Sequence, residues 1–213
     1  MTERLSIIFD HIPKCKVFAD IGCDHGYIAL NMLTKGKCER AIVSDISAKC
    51  LSKAEALLSN FIEQGLAQSV VSNGFEKVGD HDVALIAGMG GEEICSILLN
   101  AKKLSQTLVL QPMKNCDKVR KQVLELGYKF VSDSMFFSAG KFYDLMVLVK
   151  GEDCLTDEEI AFGRDNLAGH NEHFKRKIRL DIQKLNQHLS NDKLSVSVRE
   201  KMLEELEKLK KYV

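Results

Sequence analysis

The residues of this chain that are best suited to chemistry lie in a glycine-containing turn near the N-terminus. An apolar run from Val17 to Ala19 leads into Asp20, and two glycines follow four residues apart, Gly22 and Gly26. An amphipathic run begins at Tyr27. This order predicts a strand, a tight turn and the first turn of a helix, which is where α/β proteins bind nucleotide-like cofactors.

The turn departs from a dinucleotide-binding fingerprint at one position. Asp24 stands where the G-x-G-x-x-G motif has its second glycine, which lets the backbone approach a pyrophosphate. A carboxylate there repels phosphate but suits a cofactor with an ammonium and a sulfonium. The turn therefore favours S-adenosylmethionine (SAM), with Asp20 and Asp24 near the ammonium and Gly22 against the cofactor. Alternatively, the glycines serve only the turn, and His25 caps the helix rather than contacting a ligand.

Later strand ends carry residues that suit the rest of such a cofactor. Asp45 can accept hydrogen bonds from ribose hydroxyls or cap the next helix. Asn73 can recognise the adenine amine, although Asn-Gly is also a turn dipeptide. The glycines of 88–91 expose backbone at a helix N-terminus or simply form a tight joint. The predicted cofactor-binding residues are Asp20, Gly22, Asp24, His25, Gly26, Asp45, Ile46, Asn73, Gly74, Phe75, Gly88, Met89 and Gly90.

A glutamine at the end of the fifth predicted strand is the candidate substrate contact. Gln111 could hydrogen-bond a base in the cleft, or the adjoining Pro112 could merely close the strand. We predict a substrate-positioning role for Gln111 and assign no general base. The seven cysteines contain no C-x-x-C pair, so no metal site is expected.

The elements that must position these residues alternate between strand and helix, which predicts a mostly parallel sheet with helices on both faces. The last two strand patterns are separated only by residues 138–141, so they form an antiparallel hairpin. That ending is typical of class I SAM-dependent methyltransferases, whereas nicotinamide-binding Rossmann domains continue in parallel. The predicted strands are Val17–Ile21, Ala41–Asp45, Ser69–Ser72, Val83–Ala87, Thr107–Gln111, Tyr128–Phe137 and Phe142–Lys150; the predicted helices are Glu3–Ile12, Tyr27–Lys35, Ala48–Gly65, Gly91–Ala101 and Cys116–Leu126.

The composition changes after Gly151. Thr156 begins a capping box, and apolar stripes run from Ile160 to Leu189 and from Val196 to Val213, with a break at 190–192. Two helices with a short connection predict an antiparallel coiled-coil hairpin (153–213) beside a cofactor domain (1–152). Basic residues on the first helix form either a solvated face or a surface for a phosphate backbone; they are Lys175, Arg176, Lys177, Arg179 and Lys184.

The bulk composition limits the partners. The chain has 213 residues, and its 30 Lys and Arg residues are balanced by 30 Asp and Glu residues. Any contact with nucleic acid must therefore be made by a local basic patch. The cysteine pattern favours reduced thiols, and no stretch resembles a signal peptide or a membrane span. We therefore expect a soluble, cytoplasmic protein with no membrane partner. A monomer is favoured, although the helical pair could pack on another copy.

Together the motifs resemble the TrmK family of bacterial tRNA adenine-N1 methyltransferases, which modify adenine 22 in the D-arm. The matching motifs are Asp-Ile-Gly-x-Asp-His, Gly-Met-Gly-Gly, Gln-Pro, Gly-Lys-Phe-Tyr-Asp and the C-terminal helical pair. The similarity runs over essentially the whole chain. It implies a class I methyltransferase fold, SAM as methyl donor and tRNA as substrate. We expect the basic helix to hold the tRNA backbone. Family cofactor contacts fall on Asp20, Gly22, Asp24, His25, Asp45 and residues 88–90.

The chain departs from the family pattern at two places. Asn73-Gly74 replaces Asp-Gly, and Met113 follows Gln111-Pro112 where the family has asparagine. The first change keeps an acceptor for the adenine amine, and the second removes a polar group from the cleft. The alternatives are a methyltransferase of another substrate, a nicotinamide dehydrogenase, which Asp24 and the hairpin disfavour, and a non-catalytic SAM- or RNA-binding protein.

Overall fold

The computed structural model describes residues 1–169, 171–190 and 194–213. The predicted order of strands and helices up to residue 150 is confirmed, with bounds that differ by a few residues. The elements are α1 (Glu3–His11), β1 (Cys15–Ile21), α2 (Tyr27–Thr34), β2 (Cys38–Asp45), α3 (Ala48–Glu63), β3 (Ala67–Val71), β4 (Val83–Met89), α4 (Gly91–Leu99), β5 (Thr107–Pro112), α5 (Cys116–Glu125), β6 (Tyr128–Ser138), β7 (Lys141–Lys150), α6 (Asp157–Phe162), α7 (Arg164–Leu167), α8 (Glu172–Leu189) and α9 (Val196–Lys210).

Seven strands form one sheet in the order β3-β2-β1-β4-β5-β7-β6. The first five strands of that order are parallel, while β7 is antiparallel to both β5 and β6. The predicted fold class is thus confirmed. Because the strand order reverses between β1 and β4, a crevice opens at their carboxyl ends, where open α/β sheets bind ligands.

Both faces of the sheet are buried, which explains why its strands are nearly continuous apolar runs. On one face Phe18, Val43 and Leu85 pack against α1, α2 and α3. On the other face Ile86 and Leu110 pack against α4 and α5. The two helical layers hold the strand ends, and thus the turns that follow them, in fixed positions.

The C-terminal region differs from the predicted pair of helices. The stripe that begins at Ile160 is divided among α6, α7 and α8, because Gly163 and Gly169 adopt positive φ angles of +87° and +89°. The capping box at Thr156 is present, and Asn171 caps α8. The pattern of apolar residues does not predict these breaks, because its helical period continues across them. Most of the predicted break at 190–192 lies outside the described residues.

The long helices of this region rest on the sheet. Phe174 and Ile178 of α8 and Leu209 of α9 form a small core with Met135 of β6. This packing supports α8 and α9 on the antiparallel hairpin, beside the carboxyl edge of the parallel strands. No helix among the described residues is long and apolar enough to cross a bilayer.

Candidate active site

The turn after β1 is fixed by the neighbouring strand. The backbone N–H groups of Gly22 and Cys23 donate to the Ser44 carbonyl at 2.8 and 3.0 Å. Gly22 has a φ of +71°, and a Cβ there would overlap the Met89 Cε. The backbone conformation therefore favours glycine at this position, and a larger residue would also have to displace the flexible end of the Met89 side chain.

Two cavities meet at Gly22. The first, the charged lobe, has a volume of about 180 Å³, and the second, the wide lobe, about 400 Å³. Since Gly22 lines both, the two lobes lie side by side at the turn, and together they are called the cleft below. The charged lobe is lined by Arg4, Leu5, Asp20, Gly22, Cys23, Asp24, His25, Tyr27, Ile28, Leu85 and Ala87, and the wide lobe by Ile21, Gly22, Asp45, Ile46, Ser72, Asn73, Gly74, Met89, Glu93, Ser96 and Ile97.

Asp20 is the most buried carboxyl group of the charged lobe, with 5% of its surface exposed. Burial raises its pKa to about 7, opposed by a hydrogen bond from the Ala29 backbone and increased by the charge of Asp45. The carboxyl group therefore holds its proton more tightly than an exposed aspartate does. A cation that enters the lobe would favour the ionised form.

Asp24 and His25 stand at the exposed mouth of the charged lobe. The Asp24 carboxylate lies 3.6 Å from His25 Nε2 and 3.7 Å from Lys53 Nζ. Gly26, not His25, is the N-cap residue of α2, so the structure does not support the predicted capping alternative for His25. The ring of His25 instead stacks on Tyr27, with centroids 5.5 Å apart. These loose pairs leave Asp24 available to a ligand.

In the wide lobe, the Asp45 carboxylate is oriented by its own turn. Its oxygens accept from the Ser47 backbone at 2.8 Å and from the Asp24 backbone at 3.4 Å. Ser47, not Asp45, caps α3. Asn73 Nδ2 donates to Glu76 at 3.2 Å, which leaves the amide oxygen as an acceptor. Ile46 adds an apolar surface that is 71% exposed.

The end of β4 contains a bulge at Gly88. Ala87 pairs with Gln111 and Met89 with Pro112, and Gly88 takes a φ of +81° between them. Such a bulge re-aims the strand next to a site. Gly90 and Gly91, by contrast, face the backbone and side chains of residues 114–115. Their small size therefore serves the joint between β4, α4 and the loop after β5.

Gln111 does not present its amide to the cleft. The side chain is completely buried; its oxygen accepts from Arg4 Nη1 at 2.7 Å, and its nitrogen donates to the Pro112 carbonyl at 3.0 Å. Both polar ends are thus satisfied by the protein. Gln111 does not line the charged lobe, but Arg4, which donates a hydrogen bond to the Gln111 oxygen, does.

Several predicted cofactor residues lie outside the lining of both lobes. Gly26 faces Ala54 of α3, where a Cβ would come within 2.9 Å of the Ala54 Cβ, and its role is helix packing. Phe75 lies in the core, stacked on His81 with centroids 5.4 Å apart. Gly88 and Gly90 line neither lobe: a Cβ at Gly88 would lie 3.4 Å from Arg4 Nη1, and a Cβ at Gly90 would lie 3.2 Å from Lys114 Cε.

Sequence reasoning missed two walls of the cleft. Glu93, Ser96 and Ile97 of α4 line the wide lobe, and their spacing on a helix predicted to begin at Gly91 could have indicated this. Arg4 carried no comparable signal, because the strand order does not say where a preceding helix packs.

The predicted basic residues of α8 do not share one environment. Arg176 lies over the Phe137 ring, 4.3 Å from its centroid. Lys175 pairs with Glu172 at 3.4 Å, and Lys177 pairs with Asp181. The remaining two members, Arg179 and Lys184, are exposed.

Comparison with known proteins agrees with this geometry. Residues 1–146 match the family described as a methyltransferase domain. The tRNA (adenine(22)-N(1))-methyltransferase of Bacillus subtilis is 30% identical over 179 residues, which cover 79% of this chain and 73% of that protein. The structure of M. capricolum TrmK in complex with S-adenosyl-homocysteine has a TM-score of 0.88 at 23% identity and covers 100% of this chain and 97% of that chain. The B. subtilis m1A22 tRNA methyltransferase TrmK has a TM-score of 0.82 at 21% identity, covering 100% and 98%.

Proposed function

Because this chain belongs to the TrmK family of methyltransferases, we propose that it transfers the methyl group of SAM to N1 of adenine 22 in the D-arm of tRNA. The observation that carries the proposal is the two-lobed cleft at Gly22. One lobe offers carboxylates to a cation, and the other offers acceptors and an apolar surface to a nucleoside. No phosphate has to be accommodated.

The residues present fit each part of SAM. Asp20 and Asp24 suit the ammonium of its amino-acid end. Asp45, whose carboxylate is already oriented by backbone N–H groups, suits the ribose hydroxyls. The free amide oxygen of Asn73 suits the adenine amine, and Ile46 suits the ring. When bound, SAM supplies an electrophilic methyl group on its sulfonium.

The chemistry asks little of the protein beyond positioning. N1 of neutral adenine carries a lone pair and no proton, so no side chain has to remove one before transfer. The positive charge passes from the sulfonium to the base, and the carboxylates of Asp20 and Asp24 keep the potential negative nearby. The acceleration then comes from holding the base in line with the methyl group and excluding water.

The target base must leave the tRNA stack to reach the cleft. We place the tRNA backbone along the exposed basic residues of α8, since this helix packs on the β6–β7 hairpin beside the carboxyl edge of the sheet. Arg176, Arg179 and Lys184 are its exposed cations. We further propose that the enzyme works as a monomer in the cytoplasm.

The test is incubation with methyl-labelled SAM and bulk unmodified tRNA, followed by digestion and separation of the nucleosides. We expect label in 1-methyladenosine. Label in another nucleoside would identify a methyltransferase of a different substrate, and absence of label with intact SAM binding would identify a non-catalytic binding protein. Calorimetry with NAD and with S-adenosyl-homocysteine (SAH) separates the dehydrogenase alternative, which requires NAD binding.

A further inference from the structure

An exposed arginine of α8 lies over two aromatic rings at the end of the β6–β7 hairpin. The guanidinium carbon of Arg176 is 4.3 Å from the centroid of the Phe137 ring and 6.0 Å from that of Phe142. The two rings belong to a cross-strand pair, with centroids 4.9 Å apart. These three side chains are called the hairpin platform below.

The hairpin platform lies next to the cleft. β5 pairs with β7 only as far as Leu110 and Met146, although β6 and β7 continue beyond this pair to their turn, so the end of the hairpin projects past β5. Tyr143 follows Phe142, faces the other side of the hairpin and lies beside Arg4, which lines the charged lobe. The platform and the cleft are therefore on opposite faces of one projecting hairpin.

The hairpin platform is held in place from both sides. Ser138, the residue after Phe137, donates a hydrogen bond to Glu3 at 2.7 Å, which ties the end of the hairpin to α1. On the other side, Phe142 packs against the small core that α8 and α9 form with β6. A surface that is already fixed loses little further freedom when it binds a ligand.

Arg176 keeps its polar groups available. Its side chain is exposed, and no partner among the described residues forms a hydrogen bond or an ion pair with it. The adjoining cations differ, since Lys175 pairs with Glu172 and Lys177 pairs with Asp181. The rings thus lie against one side of the guanidinium, and the exposed remainder can contact a ligand.

We propose that the hairpin platform stacks an unpaired base of the tRNA that neighbours the target nucleotide. This inference rests on the proposed function and deepens it. A base that leaves the RNA stack exposes the faces of its neighbours, and the stacking that is lost raises the cost of extrusion. Proteins stack unpaired RNA bases on aromatic rings and on the guanidinium planes of arginines. The hairpin platform offers such a surface beside the cleft and would lower that cost.

A phosphate of the tRNA backbone is the other ligand that an exposed arginine could bind. The structure favours the base for two reasons. A phosphate contact needs only a cation, whereas Arg176 lies over a pair of rings. The lysines on either side of it are paired with acidic residues, which weakens the local field on which a phosphate contact depends. The phosphate contacts of α8 then fall to Arg179 and Lys184.

Two RNAs of the same length separate base stacking from phosphate binding: a D-arm hairpin with an unpaired loop and a blunt duplex. Arg176→Lys keeps the charge but loses the plane. In fluorescence anisotropy with SAH present, it should weaken binding of the hairpin RNA by about fivefold. Binding of the duplex should change less than about twofold. Arg40→Lys, at an exposed arginine on β2, is the matched control and should leave both affinities unchanged.

Phe137→Leu is the second variant. It removes the ring but keeps Arg176, so it should reproduce the loss, and the double variant should bind the hairpin RNA about as weakly as either single variant.

Unchanged affinity for the hairpin RNA in both single variants overturns the proposal. An equal loss for the duplex also overturns it, because it would assign Arg176 to phosphate. So does a parallel loss of SAH affinity or of melting temperature, which would assign the arginine to the fold. Failure of the proposed function looks different: the wild-type chain would bind SAH and the hairpin RNA but methylate no tRNA.

Discussion

Charged side chains are arranged in opposite ways at the cleft and at the junction between the sheet and the C-terminal helices. In the cleft, Asp20, Asp24 and Arg4 are separate or loosely paired. At the junction, Arg120 forms ion pairs with Asp133 and Asp144. This is the difference that we expect between charges that are proposed to bind a ligand and charges that hold the fold together.

The junction network leaves little unsatisfied. Arg120 donates to both Asp133 oxygens at 2.8 Å, to Asp144 at 2.6 Å and to the Ile160 carbonyl of α6 at 3.3 Å. Burial opposes the charge of Arg120, but the hydrogen bonds and charges of Asp133 and then Asp144 raise its pKa. Because Ile160 belongs to α6, the same arginine attaches the C-terminal region to the sheet.

One short motif contributes to both regions. Tyr143 and Asp144 are consecutive on β7, so their side chains face opposite sides of the sheet. Tyr143 lies beside Arg4 of the cleft, while Asp144 accepts from Arg120 of the junction. The last two residues of the Gly-Lys-Phe-Tyr-Asp segment therefore belong to these two networks.

The largest expected effect comes from closing the cleft at its centre. Gly22→Val adds a branched side chain at positive φ to a residue that lines both lobes, where it would occupy the space of the cofactor, so SAH binding should fall by about 100-fold. Gly36→Val is the matched control, since Gly36 also has a positive φ, +61°, but has open space around it. Calorimetry that finds equal losses in both variants would show that backbone strain, not the cleft, is responsible.

Removing Arg120 from the ion-pair network of the junction should destabilise the fold but have little effect on the affinity for SAH. Arg120→Met leaves Asp133 buried without its partner, which should lower the free energy of unfolding by about 3–5 kcal/mol. SAH affinity of the folded fraction should stay within about threefold of wild type. Urea denaturation measures the first quantity, with exposed Arg179→Met as control. A large loss of SAH affinity in folded Arg120→Met would erase the distinction between the regions.

Asp20→Asn should have opposite effects on stability and binding. Because the pKa of Asp20 is raised in the unliganded fold, the folded protein binds this proton more tightly than the unfolded chain does. The contribution of this group to the free energy of unfolding is therefore highest at low pH and falls as pH rises through about 7. At a pH of about 8 the variant should therefore be more stable by on the order of 1–2 kcal/mol in thermal melts. Its SAH affinity should fall by about tenfold or more.

The wild-type chain offers an independent check on the same group. Its SAH affinity should rise with pH across the range around 7, because the ammonium needs an ionised Asp20. The pH dependence should be absent in Asp20→Asn. A flat wild-type profile would mean that the cofactor's ammonium binds elsewhere.

The smallest expected effect concerns α8 and compares its exposed cations with its cations that are paired with acidic residues. The combined change of Arg176, Arg179 and Lys184 to Glu should weaken tRNA binding by about tenfold and reduce its salt dependence, with SAH binding unchanged. Reversal of Lys175 and Lys177 should cost less, since Glu172 and Asp181 already pair with them. Lys14, Lys16 and Lys102, exposed at the opposite edge of the sheet, form the control set. Equal losses from all three sets would indicate a nonspecific charge effect.

The parallel sheet can be predicted well from the sequence, because the patterns that indicate it lie within short segments of the chain. Apolar runs mark buried strands, and the glycines and acids that follow them, such as Gly22 and Asp45, mark strand ends that a parallel sheet must bring together. Arg4 and the breaks at Gly163 and Gly169 could not be predicted in this way. Their roles depend on how separate elements pack, which neither the period of apolar residues nor the spacing of motifs encodes.

The most direct test of the account is single-turnover methyl transfer to one unmodified tRNA, compared with the same tRNA carrying guanine in place of adenine 22. We predict that the adenine tRNA gains one methyl group, at N1 of residue 22, and that the guanine tRNA gains none. Equal methylation of both tRNAs, or a methyl group at another atom of adenine 22, would contradict the proposed reaction.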